Sequence, residues 1–286
     1  MPKQTVFATD TNILLQRSRF SYSDLSRPDG HPSGALYGTL KSIFALAKRF
    51  EPDYFIPVFD VGKSKFRTSI SSSYKGNRGE KEHALISQFA ATRGILELIG
   101  FPVYYERGVE ADDLLAKLAI HHCKNKDLTI LTQDHDICQL ASNDVTIFRP
   151  KLGAREEQFI TGMSFSTDIG IEASRAPEIW AITGDSGDNI PGIPRIGWKT
   201  AQKMVLNNGS LWHALANEKK LQPHYDQCIT NYSLIKLDGT VASEEPVFKK
   251  LSQVREEMYD KEDVSEFFEQ WGMNRFLIDY NNRVLL

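Results

Sequence analysis

Nine carboxylates stand out by where they fall in the chain. VFATD ends at Asp10 and YFIPVFD ends at Asp60. PVYYERGVEADD runs into Glu110, Asp112 and Asp113, and LTILTQDHD runs into Asp134 and Asp136. GDSGDN adds Asp185 and Asp188. Each of the first four stretches is a β-prone run followed at once by acid. Singly, each acid has an ordinary role: Asp10 can cap a turn, Asp112 and Asp113 suit a helix start, and Asp134 and Asp136 suit a loop. As a set they repeat one choice at four strand ends. In a parallel sheet those ends share one edge, where ligands bind.

Carboxylates brought together there repel. Two of them about 5 Å apart cost roughly 3 kcal/mol at an effective dielectric near 20. Cations or protons must offset that. Oxygen ligands without His or Cys suit Mg²⁺ or Mn²⁺ rather than zinc. A pair of such ions can activate a water and stabilise a leaving oxygen in phosphodiester hydrolysis. Setting the nine acids aside turns the formal net charge of −3 into +6. The remainder of the chain is therefore basic, which suits an anionic polymer. GKSKFRTSISSSYKGNRGEK concentrates Lys63, Lys65, Arg67, Lys75, Arg78 and Lys81 around Phe66 and Tyr74. A charge run is usually a solvated face. Beside an acidic edge, these cations could hold a phosphate, and an aromatic could stack on a base.

The elements that must position these groups alternate through the first half. Strands are expected at Thr5–Thr9, Tyr54–Phe59, Pro102–Tyr105, Leu128–Thr132 and Val145–Phe148. Helices are expected around Leu36–Phe50, at Ala84–Leu98 and at Ala111–His122. This pattern predicts an α/β fold with a mostly parallel sheet flanked by helices. From about Ala176 the chain reads as helical, with helices at Leu211–Ala216, Tyr225–Leu237 and Val264–Trp271. Thr68–Glu82, polar and serine-rich, reads as a mobile loop. The longest apolar run, Tyr54–Phe59, is far short of the ~20 residues of a membrane span. MPKQTVFATD lacks a signal-peptide pattern. Cys123, Cys138 and Cys228 fit a reduced, cytoplasmic setting better than a disulfide framework.

Gly192–Thr200 reads G-x-x-x-x-G-W-K-T, one residue longer than a P-loop. A P-loop also follows a strand, whereas APEIWAITGD reads as helix. Phosphate can still be bound here. Glycine-rich turns let backbone N–H groups approach it, and a helix N-terminus favours the anion.

Together FDVGKSKFR…YKGNR, GVEADD, TQDHDICQL and GDSGDNIPGIPRIGWKTA resemble the 5′-nuclease family, in that family's order, over residues 6 to about 204. That family includes bacteriophage 5′-exonucleases, the 5′-nuclease domain of bacterial DNA polymerase I, and flap endonucleases. The resemblance implies a PIN-like nuclease core over residues 1–170, with a helical arch at about 75–100. A DNA-binding region, 171–286, would carry a helix–three-turn–helix at about 184–206. It implies Asp10, Asp60, Glu110, Asp112 and Asp134 around one Mg²⁺. Asp136, Asp185 and Asp188 would serve a second, with Asp113 assisting directly or through another ligand.

By the same resemblance Lys75 and Arg78 contact the reacting phosphate, and Tyr74 stacks. Lys63, Lys65, Arg67, Lys81, Gly192, Arg195, Gly197, Lys199 and Thr200 would bind DNA, and the carbonyls of Ile193 and Ile196 would hold K⁺. The implied activity is 5′-to-3′ exonuclease and flap endonuclease cleavage of branched or nicked DNA, leaving a 5′-phosphate and a 3′-hydroxyl. RNA primers in hybrids would be further substrates, and a monomer is expected.

Thr11 and Arg195 stand where the family usually has glycine, His135 where lysine is common, and Trp198 where Pro, Glu or Ala is usual. No polymerase segment follows Leu286, so the chain reads as a free-standing nuclease such as a phage replication protein. Two alternatives are a PIN-type ribonuclease, lacking arch and helix–three-turn–helix, and a non-catalytic DNA-structure binder, which would have lost acids. A zinc module from His121, His122, Cys123, His135 and Cys138 matches no common ligand spacing.

Overall fold

A computed structural model describes residues 2–79, 82–151 and 153–286. Lys81, expected to bind DNA, lies outside the described residues. Six strands form one sheet: β1 (Thr5–Asp10), β2 (Tyr54–Val61), β3 (Tyr104–Arg107), β4 (Asp127–Leu131), β5 (Val145–Arg149) and β6 (Gln158–Ile160). Their order is β3-β2-β1-β4-β5-β6, and only the β5–β6 pair is antiparallel. The five expected strands are all present. β3 is shifted two residues towards its C-terminus because Phe101–Val103 is taken up in a turn, with Val103 N–H bonded to the Phe101 carbonyl. The edge strand β6 is three residues long and half solvated, too short to leave a pattern in the sequence.

The helices are α1 (Thr11–Ser21), α2 (Gly34–Phe50), α3 (Lys65–Ile70), α4 (His83–Ile99), α5 (Ala111–Lys117) and α6 (Gly162–Ile169). They continue with α7 (Ala176–Thr183), α8 (Trp198–Asn208), α9 (Leu211–Asn217) and α10 (Tyr225–Ile235), then α11 (Leu251–Glu257), α12 (Glu262–Gln270) and α13 (Asn274–Asn281). The helix expected over Ala111–His122 keeps α geometry only to Lys117, then widens into a π turn over Leu118–His122.

β1 lies between β2 and β4, so the order reverses beside it. That reversal opens a crevice at the carboxyl end of β1, where Asp10 sits. Two apolar layers sandwich the sheet. On one side Val6, Ala8, Ile56, Val58 and Ile130 pack with Leu114, Leu118, Ile179 and Ile182 of the helices α5 to α7 region. On the other, Phe7, Phe55, Phe59 and Phe148 pack with Leu36, Leu40, Ile95 and Leu96.

The second layer also takes Leu251, Val254, Val264, Phe268 and Phe276 from the last three helices. The C-terminal helices thus fold back onto the first half, and residues 171–286 do not pack as one separate unit. α4 buries Leu85, Gln88, Thr92, Ile95, Leu96 and Ile99 along its whole length. That i, i+3, i+4 spacing makes it a surface helix docked on the core. The helical part of the expected arch is therefore packed down on this layer.

Between α7 and α8 two backbone segments meet closely. Gly184 has φ +72°, and Gly192 lies against the end of α7. A Cβ at Gly192 would sit 2.0 Å from the Thr183 carbonyl oxygen. Gly192 therefore serves close packing within the turn. Gly197, at the N-cap of α8, has open space where a Cβ would go. Gly192→Ala should lower urea-unfolding stability by at least ~2 kcal/mol, while Gly197→Ala should stay within ~0.5 kcal/mol. Equal midpoints for the two variants would contradict this reading of the turn.

Candidate active site

The sheet edge gathers the acids by local hydrogen bonds as much as by topology. Asp10 ends β1 and caps α1, accepting from Ile13 N–H at 3.4 Å. Asp60, in the last turn of β2, accepts from Ala111 N–H at 2.5 Å, tying that strand to the start of α5. Glu110 is the residue before α5, and Asp112 and Asp113 fall in its first turn. Asp134 receives Asp136 N–H at 3.0 Å, and its own N–H bonds Thr132 Oγ1 at 3.0 Å. Asp185 Oδ1 receives Gly187 N–H at 2.7 Å and Asp188 N–H at 3.3 Å. Asp185 and Ile190 are paired through both their backbone groups, closing the GDSGDN turn.

The acids feel one another. Burial, with Asp60 and Asp134 nearby, pushes the Asp10 carboxyl from 3.8 up to about 8. Burial and the charges of Asp134, Asp185 and Asp188 push Asp136 up to about 8 as well. Asp112 is raised well above its ordinary value by burial, Asp134 and Asp10. Chain segments far apart in sequence thus share one desolvated patch, as their positions at strand ends predict. Asp136 Oδ1 is buried and receives no hydrogen bond. A buried acceptor without a hydrogen-bond donor in a carboxylate-rich patch fits a divalent cation.

The basic residues divide in two. Arg67 is 3% exposed. Its Nη1 lies 2.5 Å from Asp113 Oδ2, its Nη2 bonds Asp113 Oδ1 at 3.0 Å, and its Nε bonds the Leu234 carbonyl at 2.8 Å. Nη1 also reaches Glu110 at 3.0 Å. This corrects one expectation: Arg67 cannot bind DNA, because it is sealed beneath the site. Both Asp113 oxygens face its guanidinium, which agrees with the indirect of the two roles expected of Asp113. Removing one partner of such a buried pair costs ~3–5 kcal/mol, because the other charge is stranded.

Tyr74 is also buried, and its hydroxyl lies 2.9 Å from Asp188 Oδ2 and 3.1 Å from Glu110 Oε2. Burial and these two carboxylates raise its phenol. Its ring is a wall of the site and is not presented to a base, contrary to the stacking expectation.

Lys75 and Arg78 do face the acids. Lys75 Nζ lies 2.7 Å from Glu110 Oε1 and 3.5 Å from Asp188 Oδ2, and Arg78 Nη2 lies 2.5 Å from Asp188 Oδ1. Burial opposes the Lys75 charge, but Glu110, Asp112 and Asp188 outweigh it and raise its pKa. Lys75 takes φ +53° and donates its backbone N–H to the Asp188 carbonyl at 3.0 Å. Asn77 Nδ2 donates to the Ser186 carbonyl and Asn189 Nδ2 to the Ser73 carbonyl. The stretch expected as a mobile loop therefore begins as helix α3, and residues 73–78 are laced to the GDSGDN turn.

Lys63 and Lys65 are exposed at the rim, as are Arg195, Gly197, Lys199 and Thr200 at the start of α8. Arg195 takes φ +65°, the conformation for which glycine is usual. Ile193 and Ile196 bury their side chains, and the Ile193 carbonyl accepts Ile196 N–H at 3.2 Å. The turn follows helix α7, so the P-loop arrangement is absent. His122 instead pairs with Glu245 at 2.9 Å, and Cys138 Sγ receives Arg149 Nη2 at 3.2 Å. Among the described residues, the only group of three or more His, Cys, Asp or Glu side chains with ligand atoms within 4.8 Å of one another is Asp134, His135 and Asp136. Sequence reasoning weighed His135 as a departure from the family and as a zinc ligand, and did not place it among the acids; its signal was its position between two of them.

An acid-lined crevice under a basic loop, at the carboxyl edge of a parallel sheet, is the construction of a metal-dependent phosphodiesterase. Comparison with known proteins agrees. Residues 5–170 match the model of the 5′-3′ exonuclease N-terminal, resolvase-like domain, and residues 171–262 match the model of the 5′-3′ exonuclease C-terminal SAM fold. The 5′-3′ exonuclease of Aquifex aeolicus (strain VF5) is 30% identical over 285 residues, covering 93% of this chain and 97% of that protein. DNA polymerase I of Mycobacterium leprae (strain TN) is 30% identical over 279 residues, 93% of this chain but 30% of the polymerase.

Among solved structures, the T5 D15 protein co-crystallized with metal ions has a TM-score of 0.66 at 22% identity, covering 98% of this chain and 99% of that one. The T5 D15 flap endonuclease in a pseudo-enzyme-product complex with DNA and metal ions also gives 0.66 at 22% identity, covering 99% and 100%. The chain belongs to the 5′-3′ exonuclease family. Among the described residues no helix is long and apolar enough to cross a membrane.

The raised carboxyls set a pH dependence. Folded Asp10 and Asp136 keep a proton up to about 8, whereas the unfolded chain releases it at 3.8. Their contribution to stability is full below 3.8 and is lost as pH climbs towards 8. In EDTA the melting temperature should fall across that window. Divalent cations replace the protons, so added Mg²⁺ should raise the melting temperature more near ~pH 8 than near ~pH 5. Scanning fluorimetry that finds the same cation effect at both pH values would contradict the shared acidic patch.

Proposed function

We propose that this protein is a Mg²⁺-dependent 5′-to-3′ exonuclease and flap endonuclease that hydrolyses branched or nicked DNA in replication, including flaps and RNA primers. The observation that carries the reading is the meeting of Asp10, Asp60, Glu110, Asp112, Asp134, Asp136, Asp185 and Asp188 with Lys75 and Arg78 at one sheet edge. Its members come from four strand ends and one turn, in a chain of the 5′-3′ exonuclease family. Bound divalent ions would activate a water and offset the charge of the leaving oxygen. Mg²⁺ fits the hard oxygen donors, with Mn²⁺ a substitute.

The chain's own residues bind and orient. Lys75 and Arg78, now paired with Glu110 and Asp188, would exchange those partners for the reacting phosphate. Arg67 stays below, fixing α5 through Asp113 so that Glu110 and Asp112 keep their aim. Lys63 and Lys65 would follow the DNA backbone along the rim. Arg195, Gly197, Lys199 and Thr200 would grip the duplex phosphates from the α8 N-terminus. The Ile193 carbonyl retains a lone pair beyond its bond to Ile196 N–H, which leaves it able, with the Ile196 carbonyl, to hold K⁺.

Cleavage would leave a 5′-phosphate and a 3′-hydroxyl. The labour would divide between a nuclease core, residues 1–170, and a DNA-binding region, residues 171–286. A monomer in the cytoplasm, with its three free and buried cysteines, fits this work.

A 5′-labelled flap substrate with Mg²⁺, run beside the same reaction in EDTA, tests the activity; cutting that survives chelation would refute it. Asp134→Asn should still bind the flap but cut it far more slowly. Lys75→Ala should lower the single-turnover rate at least ~100-fold, with a much smaller loss of affinity. A loss of affinity alone would reduce Lys75 to a backbone contact.

A further inference from the structure

His135 is half exposed and stands inside the acid cluster, in contact with three carboxylates. Its Nε2 lies 3.1 Å from Asp136 Oδ1 and 3.6 Å from Asp185 Oδ2, and its Nδ1 lies 3.8 Å from Asp134 Oδ1. Its ring meets the indole of Trp180 at 89°, with centroids 5.1 Å apart. Trp180 in turn lies 6.4 Å from Trp198, the first residue of α8. The imidazole is thereby braced on the side away from the acids.

The 3.1 Å contact is within ion-pair range but is not a hydrogen bond: Asp136 Oδ1 is buried and receives none, even from the ring nitrogen beside it. Ligand atoms held about 2.1 Å from one cation are about 3.0 Å apart at a right angle and about 3.4 Å apart at a tetrahedral angle. The separation of Nε2 from Asp136 matches neighbouring positions around one ion, and Asp134, His135 and Asp136 each place a ligand atom within 4.8 Å of the other two.

We propose that His135 supplies a nitrogen ligand to a divalent cation shared with Asp134 and Asp136. The inference rests on the metal-dependent nuclease reading and deepens it. One of the ion positions would have a mixed nitrogen and oxygen donor set. Imidazole discriminates against Mg²⁺ and favours Mn²⁺ and later divalent metals. The protein should therefore prefer Mn²⁺ over Mg²⁺ more strongly than a site built from carboxylates alone, and Trp180 would be a positioning residue that orients the ring.

The test is pulsed electron paramagnetic resonance on the full chain, stripped with chelator and reloaded with Mn²⁺. Wild type should show nitrogen coupling to bound Mn²⁺, and His135→Gln should lose it. Calorimetric titration should show the Mn²⁺-over-Mg²⁺ preference of His135→Gln reduced by at least roughly tenfold. Bound Mn²⁺ without nitrogen coupling in wild type, or an unchanged metal preference in His135→Gln, would overturn the proposal and leave the nuclease reading standing. Failure of Mn²⁺ to bind wild type would overturn both.

Discussion

Repulsion among buried carboxylates is the constraint around which this molecule is arranged. At about 5 Å and an effective dielectric near 20, each pair costs roughly 3 kcal/mol. Burial first, and the charges of neighbouring carboxylates after it, raise the protonation of Asp10, Asp112 and Asp136. The fold answers it with three kinds of positive partner. Arg67 is buried below, where it matches Asp113 and Glu110. Lys75 and Arg78 lie across the opening, where they meet Glu110 and Asp188. Backbone N–H groups at turns and helix starts meet Asp10, Asp60, Asp134 and Asp185. Asp136 Oδ1 receives no hydrogen bond from any of them. A divalent cation would complete the balance.

The same lacing joins the site to the turn that precedes α8. GDSGDN supplies Asp185 and Asp188 to the cluster and leads, through Gly192, into α8. Its carbonyls at Ser186 and Asp188 also receive Asn77 and the Lys75 backbone. The cations that face the acids and the turn that leads into α8 are thus mounted on neighbouring pieces of one frame. In the proposed function, seating DNA on α8 and aligning the bond to be cut would be a single geometric event.

Much of this was legible in the sequence, for physical reasons. Acids directly after β-prone runs mark the carboxyl edge of a parallel sheet whatever the strand order. The basic run beside them was equally plain, but which cation turns inward was not. Six cations crowd residues 63–81, and only the phase of α3, set by Ser64 accepting from Arg67 N–H, sends Arg67 down to Asp113. Tyr74 looked like an exposed stacking group because its burial depends on Asp188, more than a hundred residues away. The serine-rich loop looked mobile for the same reason: its partners lie in the GDSGDN turn. The return of α11–α13 to the first half was hidden, because an amphipathic helix states that it packs but not on what. His135 escaped because one imidazole between two acids is ordinary loop chemistry until Asp185 is brought beside it.

Anomalous diffraction from crystals soaked in Mn²⁺ tests the central claim most directly. The account requires strong anomalous density in the crevice at the carboxyl end of β1, within bonding distance of carboxylates from at least three of the separate chain segments. Cations found elsewhere, or a crevice that stays empty at saturating Mn²⁺ with its acids intact, would contradict it.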